Sequence, residues 1–453
     1  MTPGLGFDEV SRGIESRTEA RVAWDRGTGE DQQARAAVSE LLGKELTADS
    51  AVQVALLNNR ELQAIYEDLD IAQADLVRAG LLQNPVFSGT LRFDTEGGGT
   101  GMDLDVSQEF LSLLTMSLRK SRAGAAFEAA KVRVTRAAVD TAFETRAAFY
   151  EWQAAEEVKG LRGTIEQATA ASAELAQRLF DAGNTRELDL LSERALHEQA
   201  KLDLETAAAN AVQARERLNA LMGVWGADLG WTAASRLPQP PASDSDLEGL
   251  ERRAVAESLE LAEARALVEQ AAVGARLARP LAWLNESEVG VAAEREIEGH
   301  WSVGPSFSVP IPIFDFGGAA AGEGGARLRQ AVQRYYAAAV RLRASARAAE
   351  AALQSARARV LQHQTVILPL HERIVNHAQL QFNAMQVSGF QLLQAKRDQI
   401  NAAAASIEAL RDYWTARAGV QRAIAGSPTT LSSASSSTSG RTTTGAGSGA
   451  GGH

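Results

Sequence analysis

Two carboxylates two residues apart, Asp103 and Asp105, are the first candidates for chemistry in this chain. On one strand face such a pair has the layout of a general acid and base. No partner base, nucleophile or pocket signature accompanies them, so they read as solvated side chains on a polar face. His363, His371 and His377 share one region, but spacings of eight and six do not align ligands as i, i+4 would. They read as solvated or packing histidines. The glycine-rich run Gly97–Gly101 lacks the Lys-Ser/Thr of a phosphate loop and reads as a hairpin tip. No catalytic, metal-binding or cofactor-binding constellation survives, so neither an enzyme nor a cofactor is expected.

Composition narrows the remaining classes. The 453 residues carry a net charge of −11, which argues against nucleic acid as a partner because that needs a basic face. The absence of cysteine rules out disulfides and thiolate metal sites. No stretch approaches the roughly 20 apolar residues of a membrane-spanning helix. That reading is safe only against helices, since membrane strands give a weaker signal. No basic start followed by an apolar run is visible at the N-terminus, and no lipid-acceptor Cys.

The elements that position these residues are written twice. Ala55, Asn58, Leu62 and Ala72 are matched 199 residues on by Ala254, Glu257, Leu261 and Ala271, and Phe180 by Phe382 at an offset of 202. A fixed internal offset points to a repeated unit. The expected organisation is a polar, partly extended leader at 1–46 with Trp24 as its large anchor, copies at 47–226 and 247–426, a linker at 227–246, and a disordered Ser/Thr/Gly tail at 427–453. Each copy has a helix, a hairpin and two long helices. The first helix is expected from Thr47, with Thr47 or Asp49 as its N-cap, to about Leu82, stopped by Asn84-Pro85. Phe87, Gly89, Leu91 and Phe93 alternate with small or polar residues, as do Met102, Leu104 and Val106 with Asp103, Asp105 and Ser107. In the second copy Trp301, Val303, Phe307, Val309 and Ile311 share one face, Ser302, Gly304, Ser306 and Ser308 the other; Val289 and Val291 sit on the partner strand, with the turn near Glu298-Gly299. Between Gly325 and Pro369 there is neither Gly nor Pro, room for a helix of about 65 Å. The long helices turn at Ala182–Thr185 and Met385–Ser388, and Ile400, Ala403, Ile407, Leu410 and Trp414 form a coiled-coil seam. The fold class is mainly α with a small β part.

Hairpins with one apolar and one small, polar face, attached to helices too narrow to cover them, fit a membrane barrel with apolar side chains outward. Four strands cannot enclose an open lumen, so several chains must share one barrel. Trp301, Val303, Phe307, Val309 and Ile311 are then the lipid-facing residues; Trp301 fits an interfacial anchor and a core tryptophan equally. The competing reading is a coiled-coil scaffold that dimerises through Ile400–Trp414.

The segment Val303-Gly304-Pro305-Ser306-Phe307-Ser308-Val309-Pro310-Ile311-Pro312-Ile313-Phe314-Asp315-Phe316-Gly317-Gly318 resembles the second-strand signature of TolC-type outer-membrane efflux channels. Ala51–Leu62 resembles their opening helix, and Gly183–Leu191 and Ser388–Leu393 their two helix–turn–helix tips. The resemblance spans about residues 47–426 and is nearest to the branch paired with heavy-metal cation exporters. It implies a homotrimer whose twelve-stranded barrel in the outer membrane continues as an α-helical barrel into the periplasm. It also implies a periplasmic adaptor and an inner-membrane pump as partners, and metal cations or small toxic compounds as cargo. By position, Gly183, Asn184, Thr185, Arg186, Leu188 and Asp189 would form one adaptor-docking tip, and Val387, Ser388, Gly389 and Phe390 the other. Two departures stand out: Met385 replaces Gly183 and Gln391 replaces Asp189 in the second copy, leaving Asp189 as the carboxylate for a constriction ring. Outer-membrane placement requires export, so the missing signal sequence implies a truncated or processed N-terminus.

Overall fold

The computed structural model describes residues 4–93, 100–109, 111–244, 247–284, 287–296, 300–309, 311 and 313–427. The expected turns at Gly97–Gly99 and Glu298-Gly299, the motif prolines Pro310 and Pro312, and the tail beyond Ser427 lie outside the described residues.

The chain opens with α1 (Phe7–Thr18) and α2 (Gly29–Leu42), followed by β1 (Glu45–Leu46). The leader is thus largely helical rather than partly extended. Val10 and Ile14 explain why: spaced for one helix face, both are buried beside Trp24, with Phe7 packed edge-on to Tyr66 at 5.3 Å. Next come α3 (Ala48–Asn58) and α4 (Arg60–Ala79). Thr47 caps α3 as expected, accepting from the Ser50 N–H. The helix expected to run from Thr47 to Leu82 is broken at Asn59, whose backbone is extended. Its side chain caps α4 at the Leu62 N–H and donates to the Leu221 carbonyl at 2.8 Å, so a local side-chain bond replaces the helical one.

Then follow β2 (Val86–Phe93), β3 (Thr100–Glu109), α5 (Leu111–Asp181), α6 (Glu187–Met222), β4 (Thr232–Ala233), α7 (Leu250–Ala256), α8 (Leu259–Leu284), β5 (Glu288–Arg295), β6 (Trp301–Ser308) and α9 (Gly318–Gln362). A π turn at His363–Ile367 links α9 to α10 (Leu368–Asn383), and α11 (Gly389–Ile424) closes the described chain. The π turn sits directly before Pro369, which lacks the N–H that would continue the i−4 ladder. At 71 residues, α5 is about 107 Å long.

The core lies midway along these helices. Leu353, Ala356 and Val360 of α9 pack against Ile407, Leu410 and Tyr413 of α11, and burying each large apolar side chain contributes roughly 1.5–3 kcal/mol. Two residues of the expected seam, Ile407 and Leu410, are therefore consumed inside the chain, and the Trp414 indole donates to the Pro238 carbonyl. Alanines such as Ala138, Ala142 and Ala148 let the helices approach closely. Gly223 and Gly426 mark equivalent close approaches, both with left-handed backbones, the first with its absent Cβ 2.5 Å from the Asn58 carbonyl oxygen and the second against that of Glu257.

Candidate lipid-facing sheet and helical tips

The two hairpins join into one antiparallel sheet in the order β2-β3-β5-β6, through pairing of β3 with β5. Register assigns the faces. Leu91, Met102, Arg295 and Trp301 stand opposite one another, as do Gly89, Leu104, Ala293 and Val303, and Phe87, Val106, Val291 and Pro305. Offset by one residue are Thr90, Asp103, Glu294 and Ser302, then Ser88, Asp105, Ala292 and Gly304. One face is thus mostly hydrocarbon, broken toward its rims by Arg295 and Gln108; the other is acidic, hydroxylic or small apart from Arg92.

Among the described residues no helix covers the apolar face. Phe307 is 82% exposed, and Trp301, Val303, Val309 and Ile311 are all exposed, as are Phe87, Leu91 and Phe93. The strand itself stops at Ser308, so Val309 and Ile311 continue the apolar surface beyond the hydrogen-bonded sheet. Trp301 is not a core tryptophan.

The polar face is internally wired. Arg92 reaches across β3, bonding Asp103 at 2.6 Å and Glu294 at 2.5 Å, which relieves two carboxylates placed directly opposite each other. Ser306 donates to Asp105 at 2.7 Å, and Ser107 to Glu288 at 2.8 Å. Gly290 leaves no room for a Cβ, which would lie against the Val106 carbonyl. Asp103 and Asp105 are salt-bridge and hydrogen-bond partners on a solvated wall. The Arg92 contact was not readable in sequence, because it depends on the non-local β3–β5 register.

At the opposite end, the first tip closes as a Schellman turn. Gly183 is left-handed (φ 75°), its N–H donating to the Phe180 carbonyl and that of Asn184 to Leu179 at 2.8 Å. Thr185 is half-buried and Leu188 exposed. Arg186 bonds Asp189 at 3.1 Å, and its guanidinium holds that carboxyl below the usual carboxylate range. The second tip repeats the backbone with a different residue. Met385 is left-handed (φ 59°), with Met385 and Gln386 N–H groups donating to Phe382 and Gln381. Ser388 caps α11 reciprocally with Gln391. Val387 and Gly389 are half-buried, and Phe390 is exposed. Each tip thus brings its expected residues together in one turn. His363 opens the π turn, while His371 and His377 lie on α10, the outer two about 21 Å apart along the helix. Among the described residues no helix is long and apolar enough to cross a membrane.

No protein-family model matches the chain. Over 367 residues it is 26% identical to the cobalt-zinc-cadmium resistance protein CzcC of Cupriavidus metallidurans, spanning 78% of this chain and 83% of that protein. Its fold is similar to the Campylobacter jejuni CmeC outer membrane channel (TM-score 0.70, 17% identity, 84% of this chain and 85% of the other). It is also similar to CusC, whose structures concern transmembrane channel formation (TM-score 0.65, 16% identity, 84% and 92%). The resemblance to TolC-type outer-membrane efflux channels therefore holds in sequence and in fold. These relatives are named as channel and resistance proteins.

Proposed function

We propose that this chain is one subunit of a passive outer-membrane channel in a tripartite efflux system. Three copies would share a twelve-stranded barrel, extended into the periplasm by an α-helical barrel, and export metal cations or small toxic compounds. The supporting observation is the uncovered hydrocarbon face of a four-stranded sheet joined to long helices, of which α5 alone runs about 107 Å. Lipid is the medium in which such a face is stable.

Residues 47–226 and 247–426 act as two copies of one unit, joined by 227–246 and preceded by the leader at 1–46; the tail at 427–453 is outside this unit. Support comes from the matched left-handed pairs Gly223/Gly426 and Gly183/Met385. Gly183, Asn184, Thr185, Arg186, Leu188 and Asp189, with Val387, Ser388, Gly389 and Phe390, form the periplasmic mouth and meet a periplasmic adaptor, which an inner-membrane pump drives. The likeness to CzcC favours metal cations. The scaffold reading loses its free seam, since Ile407 and Leu410 are already buried.

Val303→Arg tests this on the apolar side within β6, where it should cost roughly 2–4 kcal/mol at mid-bilayer and abolish assembly. Ser302→Arg, one residue away, should assemble and alter conductance in a planar bilayer. Two equally harmless substitutions would contradict a barrel.

A further inference from the structure

Just beneath the sheet the charge balance of the chain reverses. From Leu111 to Phe127, α5 carries Arg119, Lys120 and Arg122 and no acid. Arg276 lies near the sheet end of α8, and Arg327 and Arg329 near the start of α9, with Glu323 the acid there. All lie about 12–17 Å along their helices from the end that faces the sheet. Lys120, Arg122, Arg276 and Arg329 are exposed, and among the described residues none of these four forms an ion pair. The contrast with the middle of the molecule is sharp. There Arg136 pairs with Glu263, Arg357 with Asp244 and Arg422 with Asp140.

The level of this collar is set by what lies above it. Ile313, Phe314 and Phe316 are exposed between β6 and α9, Phe314 by 99%, and Leu114 is exposed on the first turn of α5. The hydrocarbon surface thus runs off the sheet into the helix starts. Basic side chains on the next turns meet the polar layer that borders it. On α5 and α9 the side chains tilt toward the helix N-terminus, which is the sheet end, and long stems let the charged heads rise further.

We propose that this collar binds the phosphate headgroups of anionic phospholipid in the periplasmic leaflet, seating the channel at a fixed depth. The inference rests on the outer-membrane reading above. Its argument is charge complementarity, continuous with the apolar surface: phosphodiester anions are the abundant negative groups at that level, and cations there are attracted to them. An open cleft between α5, α8 and α9, of about 380 Å³ and lined by Arg122, Gln270 and the Arg327–Glu323 pair, gives one headgroup a place to enter, with Arg122 as its unpaired cation among the described residues.

The test uses the full-length protein in detergent, offered phosphatidylglycerol or phosphatidylcholine, with retained lipid counted by native mass spectrometry. Wild type should retain phosphatidylglycerol about tenfold over phosphatidylcholine. Combined Lys120→Gln, Arg122→Gln, Arg276→Gln and Arg329→Gln should remove the preference while assembly and conductance persist. A control with the same charge change at Arg341, Arg343, Arg347 and Arg359, which face carboxylates, should behave as wild type. The inference is overturned if wild type shows no preference, if the collar variant keeps it, or if the control loses it equally. A collar variant that changes ion selectivity and not lipid retention would place these side chains in the lumen, also overturning it. Normal conductance with no lipid preference removes the collar alone; failure to insert into any bilayer removes the outer-membrane reading as well.

Discussion

The two long helical hairpins share a plan and differ in how they are held. In α5/α6 the lower half has its own interior: Ile165, Ala176, Leu190, Ala200 and Ala207 are buried, and Ser172 donates to the buried Glu193 at 2.8 Å. In α10 no residue is buried, and Leu370, Ile374, Leu380 and Phe382 are exposed. The first hairpin turns on a glycine where the second uses Met385, 94% exposed. Above α10 lies the π turn, whereas α5 runs unbroken. One hairpin is stabilised within the chain. Both leave apolar side chains exposed, Leu175 and Leu188 among them on the first, but α10 buries none, and in the proposed trimer its packing is the one that depends on assembly.

Truncation of buried side chains gives the largest expected contrast. Leu190→Ala, at 4% exposure, should cost roughly 2–5 kcal/mol in denaturant unfolding. Leu380→Ala, at 64%, should leave single-chain stability within about 0.5 kcal/mol and instead weaken the trimer, seen as more monomer by mass. Equal losses at both positions would erase the distinction.

Exchanging the turn residues should give a smaller effect of opposite sign at the two tips. Gly183→Ala places a Cβ on a left-handed backbone and should cost about 1 kcal/mol, although no atom lies within 4 Å of it. Met385→Gly should relieve a similar strain and stabilise the second tip, less the entropy glycine gains when unfolded. Thermal unfolding of both variants checks the sign.

Pro369→Ala sharpens the comparison of the shafts. Restoring the N–H should convert the π turn to α-helix and slow amide hydrogen exchange across Thr365–Leu368, leaving α5 unchanged.

The smallest effect is electrostatic. The Asp189 carboxyl is held low by Arg186, so its stabilisation is complete above the unfolded carboxylate range and is lost as pH falls through the lowered folded value. Amide protection factors at the first tip, corrected for the intrinsic pH dependence of exchange, should fall in acid and lose that response in Arg186→Gln. The second tip has Gln391 at the matching position and should not respond through it.

The parts legible in sequence were those set by local periodicity. Alternation across Phe87–Phe93 and Trp301–Ser308 located the strands and sorted their faces, and the interval from Gly325 to Pro369 marked a long helix. Thr47 marked a helix start through its side-chain oxygen. What escaped was non-local. The break at Asn59 depends on the Leu221 carbonyl, 162 residues away, and the Arg92–Glu294 bridge on strands joined 202 residues apart. The leader read as extended because its few apolar residues, Val10, Ile14 and Trp24, acquire meaning only against α4 and α5.

The absence of cysteine makes the decisive measurement direct. Single cysteines placed in turn from Trp301 to Val309 can carry a spin label in the reconstituted protein. Collision with lipid-soluble oxygen should then peak at Trp301, Val303, Pro305, Phe307 and Val309. Collision with a water-soluble relaxant should peak at Ser302, Gly304, Ser306 and Ser308. Period-two alternation between the two probes is the predicted result; labels shielded from both, or reached only from water at every position, would contradict a membrane-embedded sheet.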